Sequence, residues 1–385
     1  MHVAHLTVAH PAGDVRIFYK QCRTLAAAGH RVTLIVPAEA GGQVDGVMVR
    51  ALPLPRRRLQ RMTQTAVQLA REAVKLKADI YHLHDPELLP WGLYLQRRTG
   101  RPVIYDVHEY YAENMANKAY LPRSMRLPLG ALVRRVETSA ARALAGVVVV
   151  NEDMRARFAL LNPNTAVVHN FPFRTIAEVS SQAPTDGQTV IYVGVLRRDR
   201  GYECILETMP LVRYAHPQAK CLILGRILKE GIAPQYIAEE ADYYARGGIE
   251  VHEWVAPDRV QEYLAGSALG WLPWARSFNN DHGLPNKLFE YMAVGRPVVV
   301  SDLPFVARIV RECQCGIVVP ADDPKAHAGA ILYLLEHPAE ACEMGRRGRQ
   351  AVLERYNWEH EAEALLTLYA QVTGRACNPS ASREE

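Results

Sequence analysis

Gly283-Leu284-Pro285-Asn286-Lys287-Leu288-Phe289-Glu290-Tyr291-Met292-Ala293-Val294-Gly295-Arg296-Pro297-Val298-Val299-Val300 decides the reading of this 385-residue chain. Pro285 suits a first helical turn, where its missing N–H costs nothing. Gly295 can end the helix in a left-handed conformation, and Pro297 prevents its resumption. The pattern predicts a helix of about three turns over 285–294, followed at once by an apolar strand. The unpaired N–H groups and positive dipole end at its start would suit a phosphate. Lys287 adds a cation there, and Glu290 can accept hydrogen bonds from ribose hydroxyls. A surface helix with ordinary caps is the plain alternative.

Outward from this segment, short apolar strands alternate with helical patterns, which argues an α/β fold with parallel sheets covered on both faces. The first half offers strands near 2–8, 31–36, 47–51, 79–84, 102–107, 146–150 and 166–169. A helix from Asp14 or Val15 to Ala28 lies between the first two, with Gly29 as its stop. Polar, aperiodic residues 174–188 suit a linker. A second alternation follows near 189–194, 219–224, 249–252, 268–272, 297–301 and 316–319. The expected division is a domain over 1–173, the linker, a domain over 189–355, a closing helix over 356–373 and a disordered tail over 374–385. Two such domains would turn the carboxyl ends of their strands toward one cleft.

Composition is that of a globular protein, 49% hydrophobic and 22% charged. No uncharged apolar stretch approaches the ~18 residues of a spanning helix. The start, Met1-His2-Val3, lacks the basic flank and cleavage site of a signal peptide, so a cytoplasmic location is expected. Seven cysteines fit that compartment. Cys22, Cys204, Cys221 and Cys342 fall in apolar patterns, and Cys313-Gln314-Cys315 has no second Cys/His pair to complete a metal site. Residues 1–170 carry 23 Lys+Arg against 13 Asp+Glu, while the rest carry 22 against 28. A basic half attracts anionic partners.

Several segments together resemble one family. The run 283–300 is similar to the signature of the retaining glycosyltransferases of family four, which have the GT-B fold. The resemblance extends to His5-Leu6-Thr7 with Asp14-Val15-Arg16-Ile17-Phe18, His84-Asp85-Pro86-Glu87-Leu88-Leu89, and Tyr105-Asp106-Val107-His108-Glu109. It continues through His169-Asn170-Phe171-Pro172, Tyr192-Val193-Gly194 with Arg200-Gly201, and Tyr356-Asn357-Trp358. The matching subgroup assembles bacterial surface polysaccharides. The resemblance implies two Rossmann-like domains and a terminal helix returning to the first. It also implies transfer of a sugar from a nucleotide diphosphate to a saccharide or lipid-linked acceptor, with retention and without a metal or other cofactor. A phosphate oxygen takes the acceptor proton in that scheme, so no glycosidase-like carboxylate pair is needed.

Roles carried over by the resemblance give Glu290 the nucleotide ribose. Its usual partner, a glutamate on the sugar hydroxyls, is replaced here by His282, which lacks a carboxylate's two acceptors. The family's arginine after Gly194 is Val195, and its lysine before Gly201 is Arg200. Arg197 or Arg198 must then supply the missing cation. Arg200, Arg197, Lys287 and the amides of Gly283, Leu284, Pro285 and Asn286 form the expected diphosphate set, Pro285 contributing position rather than a donor. His108 matches the histidine beside the reacting sugar, though a histidine after such a strand is often merely packed.

Asp14, Arg16, His84 and Glu109 are the expected acceptor-side contacts. Asp14 reads equally as a helix N-cap, and Arg16 is favoured for a donor or acceptor phosphate. His82-Leu83-His84 and Asp106-Val107-His108 suggest a metal, since alternate strand positions share a face. Spacing completes no ligand set, and no metal is expected. Arg56-Arg57-Arg58-Leu59-Gln60-Arg61 and the Leu/Arg mixture over 121–135 suit an anionic bilayer surface, on the inner face of the plasma membrane, or a plain solvated face. No nucleic-acid module is present. Two rival functions stand beside the transferase: a non-hydrolysing nucleotide-sugar 2-epimerase, and a non-catalytic sugar-nucleotide-binding subunit. Donor sugar, base, acceptor and oligomeric state are not written in the sequence.

Overall fold

A computed structural model describes residues 1–115, 122–179, 187–253, 255 and 257–374. The chain forms two compact units, one of residues 1–170 with 358–385 and one of 171–357.

Eight strands build the sheet of the first unit: β1 His2–Leu6, β2 Arg31–Pro37, β3 Gly42–Val44, β4 Val47–Leu52, β5 Ile80–Leu83, β6 Val103–Val107, β7 Gly146–Val149 and β8 Thr165–Val167. Their order is β3-β4-β2-β1-β5-β6-β7-β8. All neighbours are parallel except β3 and β4. The short, fully exposed β3 escapes sequence reading because it has no apolar signal. β1 is buried at every position, as expected of a central parallel strand covered on both faces. The order reverses between β1 and β5, the switch point at which ligands of such sheets bind.

The first helix opens as a wide π-type turn over Val15–Cys22 and continues as α-helix over Arg23–Ala27. The Asp14 carbonyl accepts from both Phe18 and Tyr19 N–H at 2.9 and 3.4 Å, which produces the wider turn. Gly29, at φ +79°, follows its end. The closing helix Trp358–Thr373 belongs to this first unit. Trp358 Nε1 donates to Thr24 Oγ1 at 2.8 Å, and Glu361 accepts from the His169 backbone at 2.6 Å. Leu365, Leu368 and Tyr369 are buried on its inner face.

The second unit holds β9 Thr189–Val193, β10 Lys220–Leu224, β11 Ile249–His252, β12 Leu269–Leu272, β13 Val298–Ser301 and β14 Gly316–Val319. They are ordered β11-β10-β9-β12-β13-β14, all parallel. Tyr192, Tyr202, Trp271, Phe289 and Tyr291 fill its core. The switch point falls between β9 and β12.

The expected linker differs. Arg174–Val179 is helical, and Ala177 is fully buried in the core of the second unit. Its carbonyl accepts from Arg349 Nε at 2.5 Å. Phe171 already packs on Phe289 and Tyr356, with ring centroids 4.5 and 5.4 Å away, so this unit begins before residue 174. The rest of the linker over 180–186, the tail over 375–385 and Leu121 lie outside the described residues. Cys342 is exposed rather than part of the core, whereas Cys22, Cys204, Cys221, Cys313 and Cys315 are buried.

Candidate functional site

In the second unit, the expected donor residues gather at the carboxyl ends of β9 and β12. Gly194 follows β9 with φ +114°, and a methyl group there would overlap Lys287 Cε and Nζ. The lysine side chain therefore lies across the glycine. The Tyr291 hydroxyl accepts from the Val193 N–H at 3.0 Å, tying the Lys287 helix to the end of β9. That helix runs Asn286–Ala293, little more than two turns, not three. Pro285 is its N-cap residue in extended conformation (ψ 127°) rather than a first-turn residue, and no side chain caps the amides that follow. Gly295, at φ +70°, stands beyond the end as expected. Burial lowers the Lys287 pKa, the Glu290 carboxylate opposes that shift, and the Arg200 charge reinforces it. An anion at this place would relieve both the desolvation and the repulsion.

Arg200 closes the short turn Arg198–Arg200. Gly201 succeeds it at φ +89°, where a side chain would strike the Pro273 carbonyl. The Arg200 guanidinium stacks over Trp274, 3.5 Å from the ring centroid, which orients its fork. Asn280 Nδ2 donates to the Asp199 and Ala275 carbonyls at 2.7 and 2.8 Å and joins this turn to the segment after β12. Sequence reading missed Trp274, Asn280 and Tyr291, because all three act on elements distant in the chain. Arg197, expected to supply the second cation, instead holds Asp199 through Nε and Nη2 at 2.5 and 2.9 Å. Arg198 lies 3.6 Å from Glu203.

His282 ends the short helix Phe278–His282, stacked on Phe278 with centroids 4.3 Å apart. Its Nδ1 lies 2.8 Å from the Phe278 carbonyl. A carbonyl can only accept, so Nδ1 carries a proton and Nε2 is the one ring nitrogen that can accept. One acceptor thus stands where the family has two. Gly283 continues in extended conformation (φ −93°), and Leu284 packs against the core.

The first unit brings its expected residues together differently. Arg16 is 5% exposed and binds Asp106 through Nε and Nη2 at 3.0 and 2.8 Å, with Nη1 on the Val168 carbonyl at 2.7 Å. It is a buried structural cation, which corrects the phosphate role. Asp14 accepts from the Arg16 and Ile17 N–H groups at 2.9 Å each. The N-cap reading holds, and the same carboxylate lies 3.4 Å from His10 Nδ1. His84 is fully buried and so is not an acceptor contact. Glu109 is exposed and accepts from Asn114 Nδ2 at 3.0 Å.

His84 belongs to a cluster made by strand register. β1 and β5 set His5 beside His82, and the chain leaving β5 and β6 adds His84 and His108. His5 Nδ1 is 2.9 Å from His84 Nε2, and His84 Nδ1 is 3.2 Å from His108 Nε2. Asp106 Oδ2 stands 3.4 Å from both of the latter nitrogens. Tyr369, on the closing helix, places its hydroxyl 2.7 Å from His82 Nδ1 and 3.4 Å from His5 Nε2. Burial holds the His5 and His82 pKa values well below the ordinary range and that of His84 at about 3. Despite its burial, Asp106 stays ionised because Arg16 and His108 offset the desolvation.

His84, Asp106 and His108 have ligand atoms close enough for one ion, as do His5, His82 and His84. Two features favour hydrogen bonding over coordination. Asp106 Oδ2 already accepts from Gln21 Nε2 at 2.7 Å and from Arg16 Nε, so a second cation would face a fixed guanidinium. The rings of His5, His82 and His84 stack nearly parallel, 4.7–5.1 Å apart at 14–30°. Of these rings, His5 and His84 already turn Nδ1 and Nε2 toward each other at 2.9 Å, a hydrogen bond that uses the lone pair an ion would need.

Comparison with known proteins agrees with this architecture. Residues 13–172 match the glycosyl transferase 4-like domain and residues 187–337 the glycosyl transferases group 1 model. Over 94% of both chains, the protein is 24% identical to a phosphatidyl-myo-inositol mannosyltransferase of Mycobacterium leprae. It is also 24% identical to a GDP-mannose:cellobiosyl-diphosphopolyprenol alpha-mannosyltransferase of Xanthomonas oryzae, over 77% of this chain and 75% of that one. The solved sucrose-phosphate synthase of Thermosynechococcus elongatus shares the fold at TM-score 0.72 and 20% identity, covering 97% and 99% of the two chains. These likenesses do not favour the epimerase or the non-catalytic subunit. The chain belongs to the family-four glycosyltransferases of GT-B fold, enzymes that transfer a hexosyl group from a nucleotide sugar.

Proposed function

We propose that this glycosyltransferase acts with retention of configuration, without a metal, on a lipid-linked saccharide or glycoconjugate acceptor at an anionic membrane surface. One observation carries the donor half of the reading: Lys287 lies across Gly194 beside an uncapped helix start, with Arg200 near enough to lower its pKa. Two cations and backbone amides at one point suit a leaving diphosphate. In this reading Arg200 and Lys287 stabilise the departing phosphates, and Gly194, Gly283, Leu284, Pro285 and Asn286 shape the pocket. Glu290 takes the ribose, and His282 offers Nε2 to a donor hydroxyl. Arg197 joins only if it exchanges Asp199 for the phosphate. His108 serves the reacting sugar, with Asp14 and Glu109 on the acceptor side.

The acceptor half rests on the relatives, whose names place inositol phospholipid and diphosphopolyprenol among the acceptors of similar enzymes. No described helix is long and apolar enough to cross a membrane; the Leu/Arg mixture over 123–135 supports a peripheral position on the inner face of the plasma membrane.

Transfer kinetics and donor titration of Arg200→Ala test the reading. Loss of a charge-stabilising donor should lower kcat by roughly 10²–10³-fold, with a far smaller change in nucleotide-sugar affinity. Equal losses in both would restrict Arg200 to ground-state binding.

A further inference from the structure

The cluster behind His108 contains more polar atoms than a packed histidine requires. Burial keeps His5, His82 and His84 neutral, so each ring has one N–H and one lone pair. Each link can therefore run in only one of two directions, and the links are connected in series. From the outside inward they join His108 Nε2 to His84 Nδ1, His84 Nε2 to His5 Nδ1, His5 Nε2 to the Tyr369 hydroxyl, and that hydroxyl to His82 Nδ1. Reversing a link between two rings forces reversal of its ring neighbours, and the Tyr369 hydroxyl, with one proton to give, can donate to only one of His5 and His82.

The inner end selects the direction. His82 Nε2 is fully buried without a hydrogen-bond partner and stands 3.9 Å from Asp106 Oδ2. If the chain donates inward, Tyr369 gives its proton to His82 Nδ1, and His82 Nε2 presents an N–H to the carboxylate. His108 Nε2–H then also points at Asp106, 3.4 Å away. If the chain donates outward, His82 Nε2 and His108 Nε2 both turn lone pairs toward an ionised carboxylate, and only His84 Nδ1–H faces it. Inward donation thus turns two N–H groups and the His84 Nδ1 lone pair toward the carboxylate, against one N–H and two lone pairs for outward donation, inside a site where charge is poorly screened.

We propose that Asp106, His84, His5, Tyr369 and His82 form an inward-donating relay that fixes His108 as its Nε2–H tautomer. Resting on the assignment of His108 to the reacting sugar, the relay leaves Nδ1 as the acceptor for a sugar hydroxyl. Tyr369, His5 and His84 are then positioning residues. The other charged and titratable groups around His108 are His10, its ring tilted by 46° at 4.7 Å, Asp14 and Asp85, both beside His10, and Arg16 behind Asp106.

Long-range nitrogen–proton correlation spectra of the full chain with ¹⁵N-labelled histidine test this directly, each ring being assigned by single His→Gln variants. The expected result is a pyrrole-type Nε2 and a pyridine-type Nδ1 for His5, His82 and His84 at neutral pH. His108 should keep a pyrrole-type Nε2. Nδ1–H signatures or tautomer mixtures in these rings would overturn the relay, as would signals that move on adding zinc. Tyr369→Phe should drive His5 and His82 into mixed tautomers and lower kcat on the order of tenfold, part of the ~10²–10³ available from one aligned group. Its donor KM should stay close to that of the parent. Unchanged spectra in that variant would also refute the coupling. Full transfer activity in His108→Ala would instead remove the assignment of His108 and leave the tautomer result standing.

Discussion

At the scale of single residues, burial decides which of the family-like side chains can meet a ligand. Arg16 and His84 sit in the right segments, but both are enclosed and bonded within the first unit. Arg16→Met should cost about 3–5 kcal/mol, because it strands the ionised Asp106 inside the protein; denaturant unfolding of the two proteins measures it. A loss below ~1 kcal/mol would mean that Asp106 finds another partner. His10 and Asp14 supply a pH signature. The Asp14 pKa is drawn down to about 2: burial would raise it, but bonds to His10 and the Ile17 N–H prevail. Its contribution to stability is complete above the unfolded value near 3.8 and disappears as pH falls toward 2. His10 is shifted upward, its carboxylate neighbours outweighing burial, so its contribution is complete below 6.5 and fades as pH rises through its folded value. Stability from the pair should therefore peak between about pH 4 and 6.5, and Asp14→Ala should flatten both flanks in pH-resolved unfolding.

Among the elements, the helix Arg123–Ala143 stands out for what it exposes. Leu127 and Leu132 are 77% and 56% exposed, with Met125 and Val136 also outward. Arg123, Arg126, Arg134 and Arg135 lie on the same helix, and Arg134 is held by Glu113 at 2.8 Å. Leucines backed by arginines suit a headgroup layer. Sedimentation with vesicles rich in phosphatidylglycerol should carry the protein down, and neutral phosphatidylcholine vesicles should not. Leu127→Glu with Leu132→Glu should release it, since each removes an apolar anchor and adds a repelled charge. Equal binding to both vesicle types would dispose of the membrane role. The helix Asn286–Ala293 illustrates the opposite case. Its caps were readable from Pro285 and Gly295, but its length was overstated, because Pro285 stands outside the first turn when its ψ is extended.

For the molecule as a whole, the proposed chemistry stabilises the leaving diphosphate with protein cations. Activity should survive dialysis against a strong chelator, and loss restored by zinc would redirect attention to His84, Asp106 and His108. The alternation of apolar strands and amphipathic helices was enough to identify two largely parallel-sheet units and place every strand except the exposed β3, because hydrophobic periodicity is a local property of the chain. Glycine and proline likewise marked the limits of the helix after Gly283, whereas Gly194 was singled out only by the family resemblance. Pairing could not be read that way. Whether Arg197 is available or engaged by Asp199, whether Arg200 has an aromatic platform in Trp274, and whether Arg16 meets a ligand or Asp106 all depend on residues brought together from distant sequence positions. The histidine cluster is the clearest instance: His5 and His82 come from two strands, His84 and His108 from the segments that follow β5 and β6, and Tyr369 from the closing helix. Only sheet register and burial decide that they touch, and in neutral rings touching is what settles where each proton resides.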